Sequence, residues 1–261
     1  MKPKVCILRT DGTNCDEETF YAFEKFGGVC EYVHINELRK NTKLLKQFQI
    51  LVLPGGFANG DDVASGKILA VELIHFLKSQ LQEFIAKGGL ILGICNGFQV
   101  LVRTGLLPFG KFGKMDVTLT QNDSGHFECR FIKIKIERSK VKFLEPYAGQ
   151  IIDIAVNHGE GKFFSSSNVI RKIENDNLVV CRYVDDKGAP TQNYPQNPNG
   201  SLNAIAGVSD PTGRILGLMP HPEKFVDITQ HPNWRRLKLS DNFQAQGNFI
   251  FKGIINYAKS F

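Results

Sequence analysis

No apolar stretch in the sequence approaches the ~20 residues that a membrane-spanning helix requires. Its six cysteines (Cys6, Cys15, Cys30, Cys95, Cys129 and Cys181) form no C-x-x-C pair and no zinc-ligand spacing. No H-x-x-H or comparable cluster accompanies them, so no metal site is expected. There is no long basic run and no nucleic-acid motif. The formal net charge of +6 is carried by scattered lysines and arginines, which fits a solvated basic surface better than a nucleic-acid groove. No repeat, low-complexity tract or linker divides the 261 residues, which predicts a single domain over 1–261. The N-terminus, Met1-Lys2-Pro3-Lys4-Val5, enters a strand-like run rather than a signal peptide. Together these absences predict a cytoplasmic chain with reduced thiols, no membrane and no nucleic-acid partner.

What is present is an alternation of short apolar runs and amphipathic segments. Val5-Cys6-Ile7-Leu8 reads as a buried first strand, followed by a helix from about Asp16 to Phe26 that Gly27-Gly28 stops. Glu31 to Ile35 reads as a second strand, and Asn36 to Phe48 as partly helical with Asn36 as its cap. Ile50 to Leu53 is a third strand and Leu90 to Ile94 a fourth, with one helix from about Ile68 to Ala86 between them. This grammar predicts an α/β fold, a mostly parallel sheet with helices on both faces. From Met115 the pattern turns β-rich: Met115–Thr120, Phe127–Ile136, Ile151–Val156, Leu178–Val184, Ala204–Val208 and Ile215–Met219. These read as antiparallel strands that extend or fold back on the parallel core. A terminal helix is expected from Asn242 to Ser260.

The chemistry concentrates at Gly93-Ile94-Cys95-Asn96-Gly97. A strand ends in glycine, a cysteine stands two residues on, a second glycine follows and a helix begins, which is the pattern of a nucleophile elbow. A nucleophile placed there meets the positive end of the helix dipole. The competing reading is a buried cysteine that merely ends a core strand.

A cysteine nucleophile needs a base, and the base needs a partner that orients it. Among six histidines, His221 stands out in Met219-Pro220-His221-Pro222-Glu223, just beyond a predicted strand. Pro222 forces His221 into an extended conformation, and Glu223 two residues on can then reach its imidazole. Ligand sites in open α/β sheets gather at the carboxyl ends of strands, which is where both segments lie. His158, in Asn157-His158-Gly159-Glu160-Gly161, is the second H-x-E pattern and reads rather as a turn or partner-facing residue. His34, His75, His126 and His231 read as structural. An acyl-transfer site also needs oxyanion donors. The backbone N–H of Asn96 and the turn Pro54-Gly55-Gly56 can offer them.

Taken together, Pro54-Gly55-Gly56, Gly93 to Gln99 and Pro220-His221-Pro222-Glu223 resemble the signature of the class I (triad) glutamine amidotransferases. Leu8–Asp16, Gly56–Asp62, Asn122–Arg130, His158–Gly161 and Tyr194–Ser201 narrow the resemblance to the glutaminase subunits of phosphoribosylformylglycinamidine synthase. It departs from them at Ala58-Asn59, at Asn157 where alanine is usual, and at Lys224 where arginine is usual.

The resemblance implies a flavodoxin-like open sheet, with Cys95, His221 and Glu223 as the catalytic triad and Gly56 and Asn96 at the oxyanion hole. It also implies that Gly55, Phe57, Gln99 and Asn122 contact glutamine. No cofactor is expected in this chain, which has no Walker-type loop. ATP and Mg would belong to a large synthetase subunit, with a small third subunit as a further partner. That synthetase would use the ammonia to convert formylglycinamide ribonucleotide to formylglycinamidine ribonucleotide. Residues from about 229 onward read as a packing or interface extension. A related α/β cysteine hydrolase and a non-catalytic scaffold subunit remain as alternatives.

Overall fold

The structure is a computed structural model that describes residues 1–236 and 244–260. The chain runs β1 (Lys4–Arg9), α1 (Asp16–Lys25), β2 (Val29–His34), α2 (Ile35–Lys40), β3 (Ile50–Leu53), α3 (Lys67–Phe76), α4 (Lys78–Ala86), β4 (Leu90–Ile94) and α5 (Asn96–Arg103). It continues with β5 (Thr118–Thr120), β6 (Glu128–Ile136), β7 (Ile151–His158), β8 (Lys162–Phe164), α6 (Ser167–Asn175), β9 (Val179–Tyr183), β10 (Ile205–Ser209), β11 (Ile215–Leu218) and α7 (Asn248–Ala258).

Nine strands form one sheet in the order β2-β1-β3-β4-β11-β10-β9-β6-β7. From β2 to β11 the neighbours are parallel, the 2-1-3-4-5 order of flavodoxin-like sheets. From β11 onward every pairing is antiparallel. The β-rich half therefore extends the same sheet, while β5 and β8 pair with each other apart from it.

Strand alternation explains why helices cover both faces. Val5, Ile50 and Leu90 lie in register across β1, β3 and β4, and Leu53 pairs with Gly93 on the opposite parity. Around Gly28, Val5 meets Phe23 of α1 and Ile255 of α7, and the rings of Phe23 and Phe251 pack edge to face 5.1 Å apart. On the other face Gly93 lies against Gly97 and Leu101 of α5. Every residue of β3 and β4 is buried. At about 1.5–3 kcal/mol per buried aliphatic side chain, these strands anchor the sheet.

Several local expectations are corrected. The helix expected over 68–86 is two helices: Leu77 leaves the helical region (φ −121°, ψ 6°) and serves as the end of α3 and the start of α4. The cap of α2 is His34 rather than Asn36. Its Nδ1 accepts the Asn36 N–H at 3.2 Å, while Glu37 reaches back to the His34 N–H at 3.0 Å. Of the strand expected over 115–120, only Thr118–Thr120 forms. The helix expected from Asn242 begins at Asn248, and residues 242 and 243 lie outside the described residues.

Candidate active site

Three loops that leave the carboxyl ends of neighbouring parallel strands meet at one point. The turn after β3 brings Gly55 and Gly56, the turn after β4 brings Cys95, and the turn after β11 brings His221. Cys95 joins β4 to α5 at φ 50° and ψ −105°, a conformation costly for any residue with a side chain. The junction is tight because α5 lies directly on β3: a Cβ on Gly97 would stand 1.9 Å from the Leu53 carbonyl oxygen. The Cys95 N–H is spent on the Leu218 carbonyl at 2.8 Å, which ties the elbow to β11. Its Sγ lies 3.4 Å from the Asn157 carbonyl oxygen, the acceptor of its thiol proton.

His221 is buried, and its N–H donates to Ala155 O at 2.8 Å. Its backbone is extended (φ −106°, ψ 88°), as Pro222 requires. Glu223 reaches it through a 3₁₀ turn over Pro222–Lys224 rather than along a continuous extended chain. The Nδ1 of His221 and Oε1 of Glu223 stand 2.5 Å apart, with Glu223 itself fully buried. Burial alone lowers the imidazole pKa. The Glu223 carboxylate and the Cys95 and Cys15 thiols beside the ring together outweigh it, and the pKa is held well above the ordinary histidine value. The opposite ring nitrogen, Nε2, is buried without a hydrogen-bond partner among the described residues. A ring nitrogen left free beside a thiol can exchange a proton with it.

Gly55 is glycine for this ring. A Cβ there would lie 2.7 Å from His221 Cε1, so any side chain would push the imidazole out of place. Gly56 follows on the same turn, bridged to Thr13, and Phe57 N–H donates to Gly12 O at 2.9 Å. The Phe57 side chain is half exposed and stacks on Phe127 at 6.3 Å, at the outer edge of the site. Asn96, the first residue of α5, turns its side chain away from Cys95 to the loop after Gly56. Its Oδ1 accepts the Ala58 N–H at 3.2 Å, and its Nδ2 donates to Asp61 Oδ1 at 2.9 Å. Burial raises the Asp61 pKa, although hydrogen bonds from Ser65, Gly66 and Asn96 oppose it.

Gln99 and Asn122 are both buried and bonded within the protein. Gln99 Nε2 donates to Glu160 O at 2.6 Å, and its Oε1 accepts from Asn96 Nδ2 at 3.0 Å. Asn122 uses its amide donors on His126 O (2.9 Å) and His158 O (2.7 Å), and its oxygen on the Gly161 N–H (3.0 Å) and His158 Nδ1 (3.1 Å). Its side chain shapes the 158–161 turn from within. His158 is correspondingly no partner-facing residue: it is buried as the last residue of β7, with Nε2 3.4 Å from Asn199 Nδ2. Burial and the nearby His221 push its pKa down to about 3, which keeps it neutral and unsuited to act as a base.

Sequence reasoning assigned no role to three participants: Cys15, Asp61 and the Asn157 carbonyl. Cys15 and Asp61 do stand within the motifs that carried the resemblance, in Leu8–Asp16 and Gly56–Asp62. Only the folded chain brings Asp61 beside Asn96, the Asn157 carbonyl beside Cys95 and Cys15 beside His221, pairs 35, 62 and 206 positions apart.

Residues 2–258 match the CobB/CobQ-like glutamine amidotransferase domain. The chain belongs to this glutamine amidotransferase family. It is 45% identical to phosphoribosylformylglycinamidine synthase subunit PurQ of Dehalococcoides mccartyi, over 99% of this chain and 98% of that one. The subunit of the same name from Methanococcus maripaludis is 37% identical, over 98% and 99%. Among solved structures it resembles a chain of PurLQS from Thermotoga maritima, with a TM-score of 0.74 and 30% identity over 98% of this chain and 99% of that one. No helix among the described residues is long and apolar enough to cross a membrane.

Proposed function

We propose that the chain is the glutaminase subunit of a phosphoribosylformylglycinamidine synthase, with Cys95, His221 and Glu223 as its triad. The observation that carries this reading is the buried His221–Glu223 pair, whose imidazole feels the Cys95 thiol, in a chain 45% identical to a PurQ subunit.

In this reading the Cys95 thiol gives its proton to His221 Nε2 and the sulfur bonds to the side-chain amide carbon of glutamine. The imidazolium, held by Glu223, returns the proton to the nitrogen as the carbon–nitrogen bond breaks and ammonia leaves. Water, deprotonated by His221, then breaks the thioester to give glutamate and a free thiol. The negative oxygen of each tetrahedral intermediate sits toward the Gly56 turn and the N-terminus of α5 at Asn96. Gly55 leaves room for the imidazole, and Gln99 and Asn122 hold the Glu160 and His158 ends of the turn facing the thiol. The ammonia goes to a synthetase subunit that binds ATP and Mg, and a small third subunit completes the assembly. The name PurLQS of the Thermotoga relative supports such an assembly. The chain works in the cytoplasm.

A glutamine analogue with an electrophilic carbon at the amide position tests the site assignment. The expected product is one adduct, on Cys95, abolished by His221→Ala and blocked by glutamine. An adduct elsewhere would refute the assignment.

A further inference from the structure

The triad leaves a second buried thiol beside the imidazole without a task. Cys15 precedes α1, donates its N–H to Gly55 O at 3.2 Å and turns its side chain inward. The space above Gly55 is shared by its Sγ and the His221 ring: a Cβ there would lie 3.3 Å from the sulfur and 2.7 Å from Cε1. One donor atom from each of Cys15, His221 and Glu223 lies within 4.8 Å of the others. Two further atoms of this group, His221 Nε2 and Glu223 Oε2, are buried and have no hydrogen-bond partner among the described residues. Sulfur, imidazole nitrogen and carboxylate oxygen thus converge on one small buried volume.

Tetrahedral zinc, with ligand bonds of about 2.0–2.3 Å, holds its ligand atoms about 3.3–3.8 Å apart. The bonded pair His221 Nδ1 and Glu223 Oε1, 2.5 Å apart, must open by roughly an ångström to admit the cation, with water as the fourth ligand. A thiolate, imidazole and carboxylate set favours zinc-like cations, whereas calcium and magnesium take oxygen ligands.

We propose that Cys15, His221 and Glu223 form an inhibitory site for a thiophilic divalent cation of the zinc class. On binding, the Cys15 thiol and the His221 imidazolium each release a proton to solvent, and nothing is oxidised or reduced. The cation engages the imidazole and its orienting carboxylate, so Cys95 loses its base until a chelator removes the metal. Lys224, whose ammonium feels both Cys15 and Glu223 and lies 3.4 Å from Glu18, sets a positive field against the cation. The site is therefore weaker than a structural zinc site. Its inhibitory effect rests on the glutaminase reading, but cation binding does not.

The test uses the full chain carrying Cys95→Ala and Cys129→Ser, which removes the nucleophile and the exposed thiol. Titration with Co²⁺ is expected to give one equivalent with a thiolate-to-cobalt charge-transfer band, displaced by Zn²⁺. Adding Cys15→Ser should abolish the band, and adding Glu223→Gln instead should weaken binding at least tenfold. Circular dichroism checks that each variant is folded. No thiolate band in the starting variant, or a band that survives Cys15→Ser, would overturn the proposal. In glutaminase assays Zn²⁺ should inhibit the otherwise wild-type chain reversibly by EDTA. Cys15→Ser should be at least tenfold less sensitive relative to its own untreated rate. Equal sensitivity would place the cation on Cys95 instead. A chain that binds Co²⁺ through Cys15 yet never hydrolyses glutamine would keep the site and refute the glutaminase reading.

Discussion

Asn96 Nδ2 donates to Asp61 Oδ1 at 2.9 Å, and the same amide accepts the Ala58 N–H through Oδ1. The residue after the nucleophile therefore clamps the loop that follows Gly56. Three consecutive residues of that loop, Asn59, Gly60 and Asp61, have positive φ (54°, 70° and 54°), so it is held in a conformation that needs external ties. If the loop sets the oxyanion donors, loosening it costs catalysis more than stability. Asp61→Ala is expected to lower kcat for glutamine by about 10²-fold, the scale of a lost oxyanion donor. Thermal unfolding should shift little. A variant with full kcat would show that the clamp has no catalytic consequence.

Glu223→Gln removes the charge that holds the His221 pKa up while leaving a group of similar size. The imidazole pKa should fall, because the largest of the effects that oppose burial is removed. A proton NMR titration of the ring is expected to show that fall, accompanied by a loss of kcat on the order of 10²–10⁴-fold. An unchanged titration would contradict the electrostatic role given to Glu223.

Gly55→Ala places a methyl group 2.7 Å from His221 Cε1. The ring must move, and with it the line from Cys95 to Glu223. The expected outcome is a folded protein with at least 10²-fold lower kcat, measured beside its circular dichroism spectrum. Wild-type activity would show that the imidazole has room to spare.

His158 makes acid conditions costly. Its pKa in the fold is about 3, against an ordinary value of 6.5, so the unfolded chain binds more protons between these limits. Stability contributed by neutral His158 is complete above pH 6.5 and drains away as pH falls toward 3, by up to about 1.4 kcal/mol per pH unit. Denaturant midpoints from pH 7 to 4 should therefore fall less steeply for His158→Gln than for the wild type. Parallel slopes would refute the assignment.

The parallel half of the sheet was legible because β3, β4 and β11 are short, wholly apolar runs, and β1 has an apolar centre, Val5 to Leu8, between Lys4 and Arg9. The side-chain pattern alone could not decide whether the later strands extend the sheet or fold back, since antiparallel pairing depends on partners far away in the chain. The helix α6 was missed although Ile170 and Ile173 mark its buried stripe and Ser166 its start, because its nine residues sit between strands with little else to signal a change of period. Cys95, His221 and Glu223 were visible because each stands in a local turn whose chemistry constrains the sequence. Cys15 was not, since its relation to His221 arises only where the loops after β1, β3 and β11 meet. Asn122 and His158 were legible as motif residues but not as buried ones. Their burial follows from the mutual hydrogen bonds of loops distant in sequence.

The most direct test of the account is ammonia release from glutamine by the wild-type chain and by Cys95→Ser. Each is measured alone and with a synthetase subunit, ATP, Mg and formylglycinamide ribonucleotide. The account predicts release that depends on Cys95 and rises when the synthetase and its substrates are present. Release that persists in Cys95→Ser, or no release from the wild type in any combination, would contradict it.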